Sequence, residues 1–394
     1  MEGADASPDG APGELTQRRY IRFAEGGSGL IWFEATAVTE AGRSNPRQLM
    51  ITPKNQASFR NLVATTRDAA RRAFGGKHEI LCVLQLTHSG RYSKPFGRPQ
   101  PLAAVDNPYL DRPKENVRVL SDEELDHLQD DIVDAARLAC DAGFDAVDIK
   151  SCHGYLLNEL LAGYSREHSR YGNSFENRTR FLTESFFRIH AELPRLMLTS
   201  RMSAFDGIPF PYGFGFAKDS PLDIDLTEMR TLLRKLFLLG GRIFSLTAGN
   251  PYVKPHLTRP FDRPLPGALP PDEHPVEGVK RLLSITAEAQ RSFPDVPVIG
   301  TGYSWLRQFF PFMAAGVLKQ KEASLIGLGR SAFAYPEAPR DLMDTGALDP
   351  RKVCIACSKC SELLRGGRHA GCVVRDAEVY APEYRRLGAK AKKG

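Results

Sequence analysis

Short apolar runs of strand length alternate along most of the chain with longer stretches whose apolar residues recur at helical spacing. Gly29 to Val38 and Glu79 to Thr87 read as buried strands by their length and their β-formers. Basic, amphipathic Ala57 to Phe74 reads as the helix between them. Ser121-Asp122-Glu123-Glu124 has the form of a capping box, in which the Ser accepts from the first free amides and the Glu reaches back. Leu125, Leu128, Ile132 and Ala136 extend that helix towards a strand at Ala146-Val147-Asp148-Ile149. The alternation continues with a helix over Asn177 to Ala191, a strand over Leu196 to Arg201 and a helix from Asp225 to Gly240, with Asp225 and Glu228 as a second capping box. Strand Arg242 to Thr247, helix Val276 to Arg291, strand Val296 to Gly300, helix Ser304 to Ala315 and strand Ser324 to Gly329 complete the series.

Strands that alternate with helices in this way form a parallel sheet with right-handed crossovers. Seven strands are predicted, which leaves an α/β (β/α)8 barrel lacking its first strand or an open doubly wound sheet. No Gly-x-Gly-x-x-Gly turn follows an early strand, and this weighs towards the barrel. Met1 to Arg19 is rich in Gly, Pro and Asp, with a helix from Leu15 and no strand before it. The expected division is a barrel domain over residues 1–345 and a Cys-rich extension over 346–394.

Composition changes this picture little. The 394 residues carry a net charge of +6, and much of the excess lies between Arg365 and Lys393. That reads as a solvated basic tail, with nucleic-acid binding the less favoured alternative. No apolar run reaches the roughly 18 residues needed to span a bilayer, and Glu2, Asp5 and Asp9 are unlike a secretory signal. A cytoplasmic setting is expected. Of seven cysteines, Cys82, Cys140 and Cys152 are scattered through apolar segments, whereas Cys354, Cys357, Cys360 and Cys372 crowd the tail. Such clustering fits a metal or cluster site in a reducing compartment better than a disulfide framework.

The candidate chemistry lies where strands end. Lys150, His153 and Tyr155 follow the strand at Ala146, and the carboxyl ends of barrel strands are where active sites are built. All three can donate a hydrogen bond, and Tyr155 can also surrender a proton. The plainer alternative is that Tyr155 caps a core and His153 satisfies loop carbonyls. Gly300-Thr301-Gly302-Tyr303 and Gly327-Leu328-Gly329-Arg330 end the last two strands, where open amides and a cation suit a phosphate. Gln85 and Arg201 end two other strands. An amide can match a flavin's pyrimidine edge and a guanidinium can hold its negative charge, or the two can bond each other or the backbone. The Pro-rich segment from Asn250 to Pro275 is long enough to be a lid or substrate wall.

Gln85-Leu86-Thr87-His88-Ser89-Gly90-Arg91, His153-Gly154-Tyr155-Leu156-Leu157, Tyr171-Gly172 with Ser174 and Glu176-Asn177-Arg178, and Gly329-Arg330 together resemble the old yellow enzyme family of flavin oxidoreductases. More particularly, the chain resembles the FMN barrel of 2,4-dienoyl-CoA reductases and related NADH:flavin oxidoreductases. The resemblance runs in order to about Asp341. It implies FMN at the carboxyl face, with Ala35, Gln85 and Arg201 at the ring and Gly302, Gly329 and Arg330 at the phosphate. It further implies that NAD(P)H reduces the flavin, that hydride passes to the C=C bond of an α,β-unsaturated carbonyl substrate (an enone, enoate or enoyl thioester), and that Tyr155 protonates the neighbouring carbon. His153 matches one of two residues that grip the substrate oxygen. Lys150 stands where the other is normally His, and Asn173 where Gly is usual. Met1-Glu2-Gly3 resembles the loop after the family's first strand, a loop that covers part of the flavin.

The tail motif Cys354-x2-Cys357-x2-Cys360-x11-Cys372 is similar to a 4Fe–4S ligand set, with one residue fewer between the second and third Cys. Zinc and free thiols remain as alternatives. A homo-oligomer or a separate electron-transfer partner is also expected. The competing reading is a truncated flavin barrel serving as a binding or electron-transfer subunit of a larger reductase.

Overall fold

The computed structural model describes residues 2–111, 116–220 and 223–391, with side chains to residue 388. Its main sheet has seven parallel strands: β1 (Leu30–Ala37), β2 (Leu81–Thr87), β3 (Ala146–Ile149), β4 (Met197–Ser203), β5 (Gly241–Thr247), β6 (Val298–Gly300) and β7 (Leu325–Ile326). Each strand pairs only with its neighbours in chain order, from β1 at one edge to β7 at the other. A doubly wound sheet would reverse that order at a switch point, and no reversal occurs.

Helices cross between the strands: α1 (Glu14–Glu25) before β1, then α2 (Gln56–Phe74), α3 (Asp122–Asp141), α4 (Phe175–Glu192), α5 (Thr227–Leu238), α6 (Pro275–Ser292) and α7 (Phe310–Lys319). The sheet curls around its inner face. Trp32 of β1 donates to Asp148 of β3 at 2.8 Å, reaching past the intervening strand. On the outside, α1 meets the segment after β7, where Arg340 N donates to the Gly26 carbonyl at 2.9 Å and Phe23 stacks on Phe333. The exposed side of β1 is closed by side chains and by one isolated backbone bridge, Ala37 with Met50, instead of a strand, a standard protection for an edge. Glu34 N donates to Tyr20 Oη at 2.7 Å, and Gln48 Nε2 donates to the Ala35 carbonyl at 3.0 Å.

The first capping box forms as its sequence dictates, with Ser121 and Glu124 bonded reciprocally. The second does not. Glu228 instead takes the guanidinium of Arg178 at 2.7 Å and the Tyr164 hydroxyl at 3.0 Å, leaving Asp225 to accept from Thr227 N. Arg178 is buried to 2 % exposure, so its need for a counter-charge outweighs one free amide at a helix end. The expected helix from Ser304 is also corrected. Tyr303–Phe309 is a 3-10 stretch with Arg307 in the left-handed region, and the α-helix starts at Phe310 because Pro311 suits only a first turn.

The tail adds two helices, Lys359–Arg365 and Ala377–Ala391. Leu363, Ala370, Val373 and Tyr380 form a small core of their own, while Leu348 and Val353 pack with Tyr303 and Phe310 of the barrel. Arg18 and Arg22 of α1 grip Asp376, which ties the tail to the barrel's outside.

The two fates of the second capping box are separable by denaturation. Glu228→Gln strands the buried Arg178 charge and is expected to cost about 3 kcal/mol. Asp225→Ala removes only a cap and is expected to cost about 1 kcal/mol. Equal losses would contradict the assignment.

Candidate functional site

Lys150, His153 and Tyr155 do meet at the carboxyl end of β3. His153 and Gly154 have φ of +67° and +70°, and this left-handed pair swings the chain back across the barrel mouth. Gly154 suits that position, since its φ is positive and a Cβ would run into the side-chain amide of Asn250. Lys150 Nζ stands 3.6 Å above the centre of the Tyr155 ring. Burial lowers the Lys150 pKa, so its charge is lost at a lower pH than that of a solvated lysine. Burial first, and then the Arg201 and Lys150 charges, hold His153 far below the usual imidazole range, so its ring is neutral. Thr247 Oγ1 lies 3.4 Å from its Nε2. Burial and the nearby Glu2 carboxylate raise the Tyr155 phenol well above its ordinary value, so it keeps its proton.

Sequence reasoning missed several neighbours. Tyr155 Oη donates to Glu2 Oε1 at 3.1 Å and lies 3.4 Å from Tyr252 Oη, while Lys150 Nζ is 3.9 Å from the same Glu2 oxygen. Tyr252 rides on the Pro-rich segment expected to be a lid or substrate wall, and stacks on Tyr92 with centroids 3.6 Å apart. Asn250 Nδ2 fixes the Tyr92 hydroxyl at 2.8 Å. An aromatic wall therefore flanks Tyr155. The signal for it was the Tyr spacing in the two loops, which carries no period to read.

Gln85 and Arg201 do not bond each other. Gln85 Nε2 donates to Asp148 Oδ2 at 2.5 Å, and Arg201 N donates to Asp148 Oδ1 at 2.6 Å. Arg201 Nε is buried without a partner. Ala35 is 3 % exposed, close to the end of β1. At the far side, Ser331 Oγ donates to Ser304 Oγ at 3.0 Å, so the turns holding Gly302 and Gly329-Arg330 lie together. Gly302 has φ +103°, and the space where a Gly329 Cβ would point is open to 4 Å. Arg330 is 7 % exposed, donates one nitrogen to the Pro260 carbonyl at 2.7 Å and leaves Nη1 unpartnered. A buried cation with a free donor beside open glycine backbone is a site for an anion. Asn173, where Gly was expected, has φ +66°, a conformation that asparagine tolerates.

Cys354, Cys357, Cys360 and Cys372 line one cavity with Arg330 and Arg375. Among the described residues, no three His, Cys, Asp or Glu side chains close tightly enough to hold a single metal ion. None of the described helices is long and apolar enough to cross a membrane.

Comparison with known proteins gives the class. Residues 2–210 match the model of the NADH:flavin oxidoreductase / NADH oxidase family, and the chain belongs to that family. An NADH oxidase of Thermoanaerobacter brockii is 26 % identical over 365 residues, covering 90 % of this chain and 49 % of that protein. An NADPH dehydrogenase of Bacillus pumilus is 36 % identical over 167 residues, 42 % of this chain and 46 % of its own length. The chain spans about half the length of these curated relatives. Among solved structures, a 2-naphthoyl-CoA reductase superposes with a TM-score of 0.74 at 18 % identity over 98 % of this chain and 54 % of its own. An old yellow enzyme homologue from Zymomonas mobilis gives 0.63 at 22 % identity, over 89 % of this chain and 88 % of its own. These two likenesses concern the fold.

Gly154→Ala tests the turn that assembles the site. A left-handed alanine costs on the order of 1–2 kcal/mol. Its Cβ also displaces Asn250 from Tyr92, so a fall in melting temperature and a changed tyrosine absorbance spectrum are expected; unchanged values would show that the turn is not under this constraint.

Proposed function

We propose that this chain is an FMN-dependent NAD(P)H oxidoreductase that reduces the C=C bond of an α,β-unsaturated carbonyl substrate. The observation that carries the reading is the meeting of the Tyr155 phenol, the His153 imidazole and the buried Lys150 amine at the mouth of a flavin-family sheet, with Lys150 Nζ 3.6 Å above the Tyr155 ring. The seven strands are read as a (β/α)8 barrel without its first strand, in a barrel domain of residues 1–345 followed by the extension 346–394.

The residues fit FMN. The free Nη1 of Arg330, with Gly302 and Gly329, would hold the phosphate, and Gln85, Arg201 and the Ala35 backbone would meet the ring. FMN, when bound and reduced by NAD(P)H, supplies the hydride. The chain's own residues do the rest. His153 and Lys150 donate to the substrate's carbonyl oxygen and stabilise the negative charge that grows there. Tyr155 then gives its phenolic proton to the carbon beside that carbonyl. Glu2 Oε1 lies within reach of both Tyr155 and Lys150, in the space that the reacting end of the substrate would enter, so the segment carrying Glu2 must yield to substrate. Tyr92 and Tyr252 wall the site with aromatic surface and favour a flat conjugated substrate.

The tail thiols are proposed as ligands of a 4Fe–4S cluster. The support is the four-cysteine spacing and the cavity that all four thiols line. Arg330 and Arg375 on its wall would offset a cluster's negative charge.

Tyr155→Phe is expected to leave flavin reduction by NAD(P)H within about twofold and to slow alkene reduction by at least about 100-fold, the usual range for general acid catalysis. Stopped-flow measurement of the two half-reactions checks this, and equal rates in both would remove Tyr155 as the acid. The Lys150 charge sets the alkaline limb. Its pKa lies below that of a free lysine, so alkene reduction should fall as pH rises through that value, and Lys150→Arg should move the limb upward. A limb that stays in place would assign it to another group.

A further inference from the structure

Asp148 sits on the inner face of the sheet at 0 % exposure and none of the proposed chemistry uses it. Its carboxylate accepts from Gln85 Nε2 at 2.5 Å, Trp32 Nε1 at 2.8 Å and Arg201 N at 2.6 Å. All three donors are N–H groups, the environment of an ionised carboxylate, which can only accept. An amide facing such a group has no choice of orientation. Gln85 must turn Nε2 inward, which leaves Oε1 outward, and no hydrogen bond engages Oε1 among the described residues.

We propose that Asp148 is a positioning residue that makes Gln85 a fixed hydrogen-bond acceptor for a ring N–H of the cofactor and sets the strand end from which Arg201 approaches. The inference rests on the FMN reading above. The pyrimidine edge of a flavin carries one N–H between two carbonyls, so a fixed acceptor selects that N–H. Trp32 has a supporting part, holding the carboxylate from β1 so that it cannot turn away from Gln85.

The test compares binding of FMN and of its N3-methyl derivative, which lacks that N–H, by flavin fluorescence titration of the full chain. The wild type is expected to prefer FMN by about tenfold, the worth of one hydrogen bond left unmade. In Asp148→Asn the new amide can turn Gln85 around, so the preference should collapse towards one and FMN affinity should fall about tenfold. Adding Gln85→Glu should restore the preference, because the carboxylate it introduces accepts from the substituted amide and from the ring together. Should Asp148→Asn fail to fold, the double variant carries the test, and a folded double variant without the preference overturns the proposal. A preference unchanged in Asp148→Asn overturns it too while leaving the FMN reading intact. A wild type that binds FMN no better than the N3-methyl flavin sinks the acceptor role alone, and one that binds neither overturns both readings.

Discussion

A buried carboxylate must be surrounded by donors, and the inner face of this sheet is built around that requirement. Asp148 draws an indole from β1, an amide from β2 and a backbone N–H from β4, so one charge fixes the relation of four strands. Burial raises its pKa above the usual carboxylate value, and the three N–H donors hold that rise back. The same logic recurs outward. Arg178 claims Glu228 from a helix cap, and Arg19 claims Asp5 and Glu34 beneath the edge strand. Each of these pairs joins separate elements of the chain, so charge pairing adds to the apolar core in tying strands and helices together.

The edge at β1 shows how such pairing substitutes for a strand. Tyr20 and Gln48 supply single side-chain bonds, and Met50 one backbone bridge at Ala37, where a neighbouring strand would supply a ladder, and the segment from Gly3 to Ala6 lies against Glu34 and Arg47. That segment also brings Glu2 to Tyr155. Stability at the edge and access to the site are thus linked through one short stretch of chain, which the tail holds by Ala370 N donating to the Gly3 carbonyl at 2.6 Å.

Much of this was legible in the sequence. Strand and helix order followed from apolar periodicity, because each element buries one face, and the Ser121 box formed as written. Lys150, His153 and Tyr155 could be placed together since all lie within one turn after one strand. What stayed hidden depended on contacts between distant segments. Nothing local says that Glu228 will leave its cap for Arg178, or that Tyr92 will stack on Tyr252. Asp148 was passed over, although an acid inside a four-residue buried strand is costly and that cost could have marked the position. Pro311 was equally readable and moves the start of α7 to Phe310. The relation between the tail and barrel came from ion pairs such as Arg18 with Asp376, which no spacing rule anticipates.

The account stands or falls on whether the polar groups left open at the sheet's carboxyl face are there for a flavin. The most direct measurement is an anaerobic absorbance spectrum of the purified chain after addition of FMN and removal of the excess, with the acid-released flavin quantified. The account predicts about one FMN per chain, a flavin band that NAD(P)H bleaches, and no comparable retention by an Arg330→Met variant. A chain that retains no flavin, or retains it equally without Arg330, would contradict it.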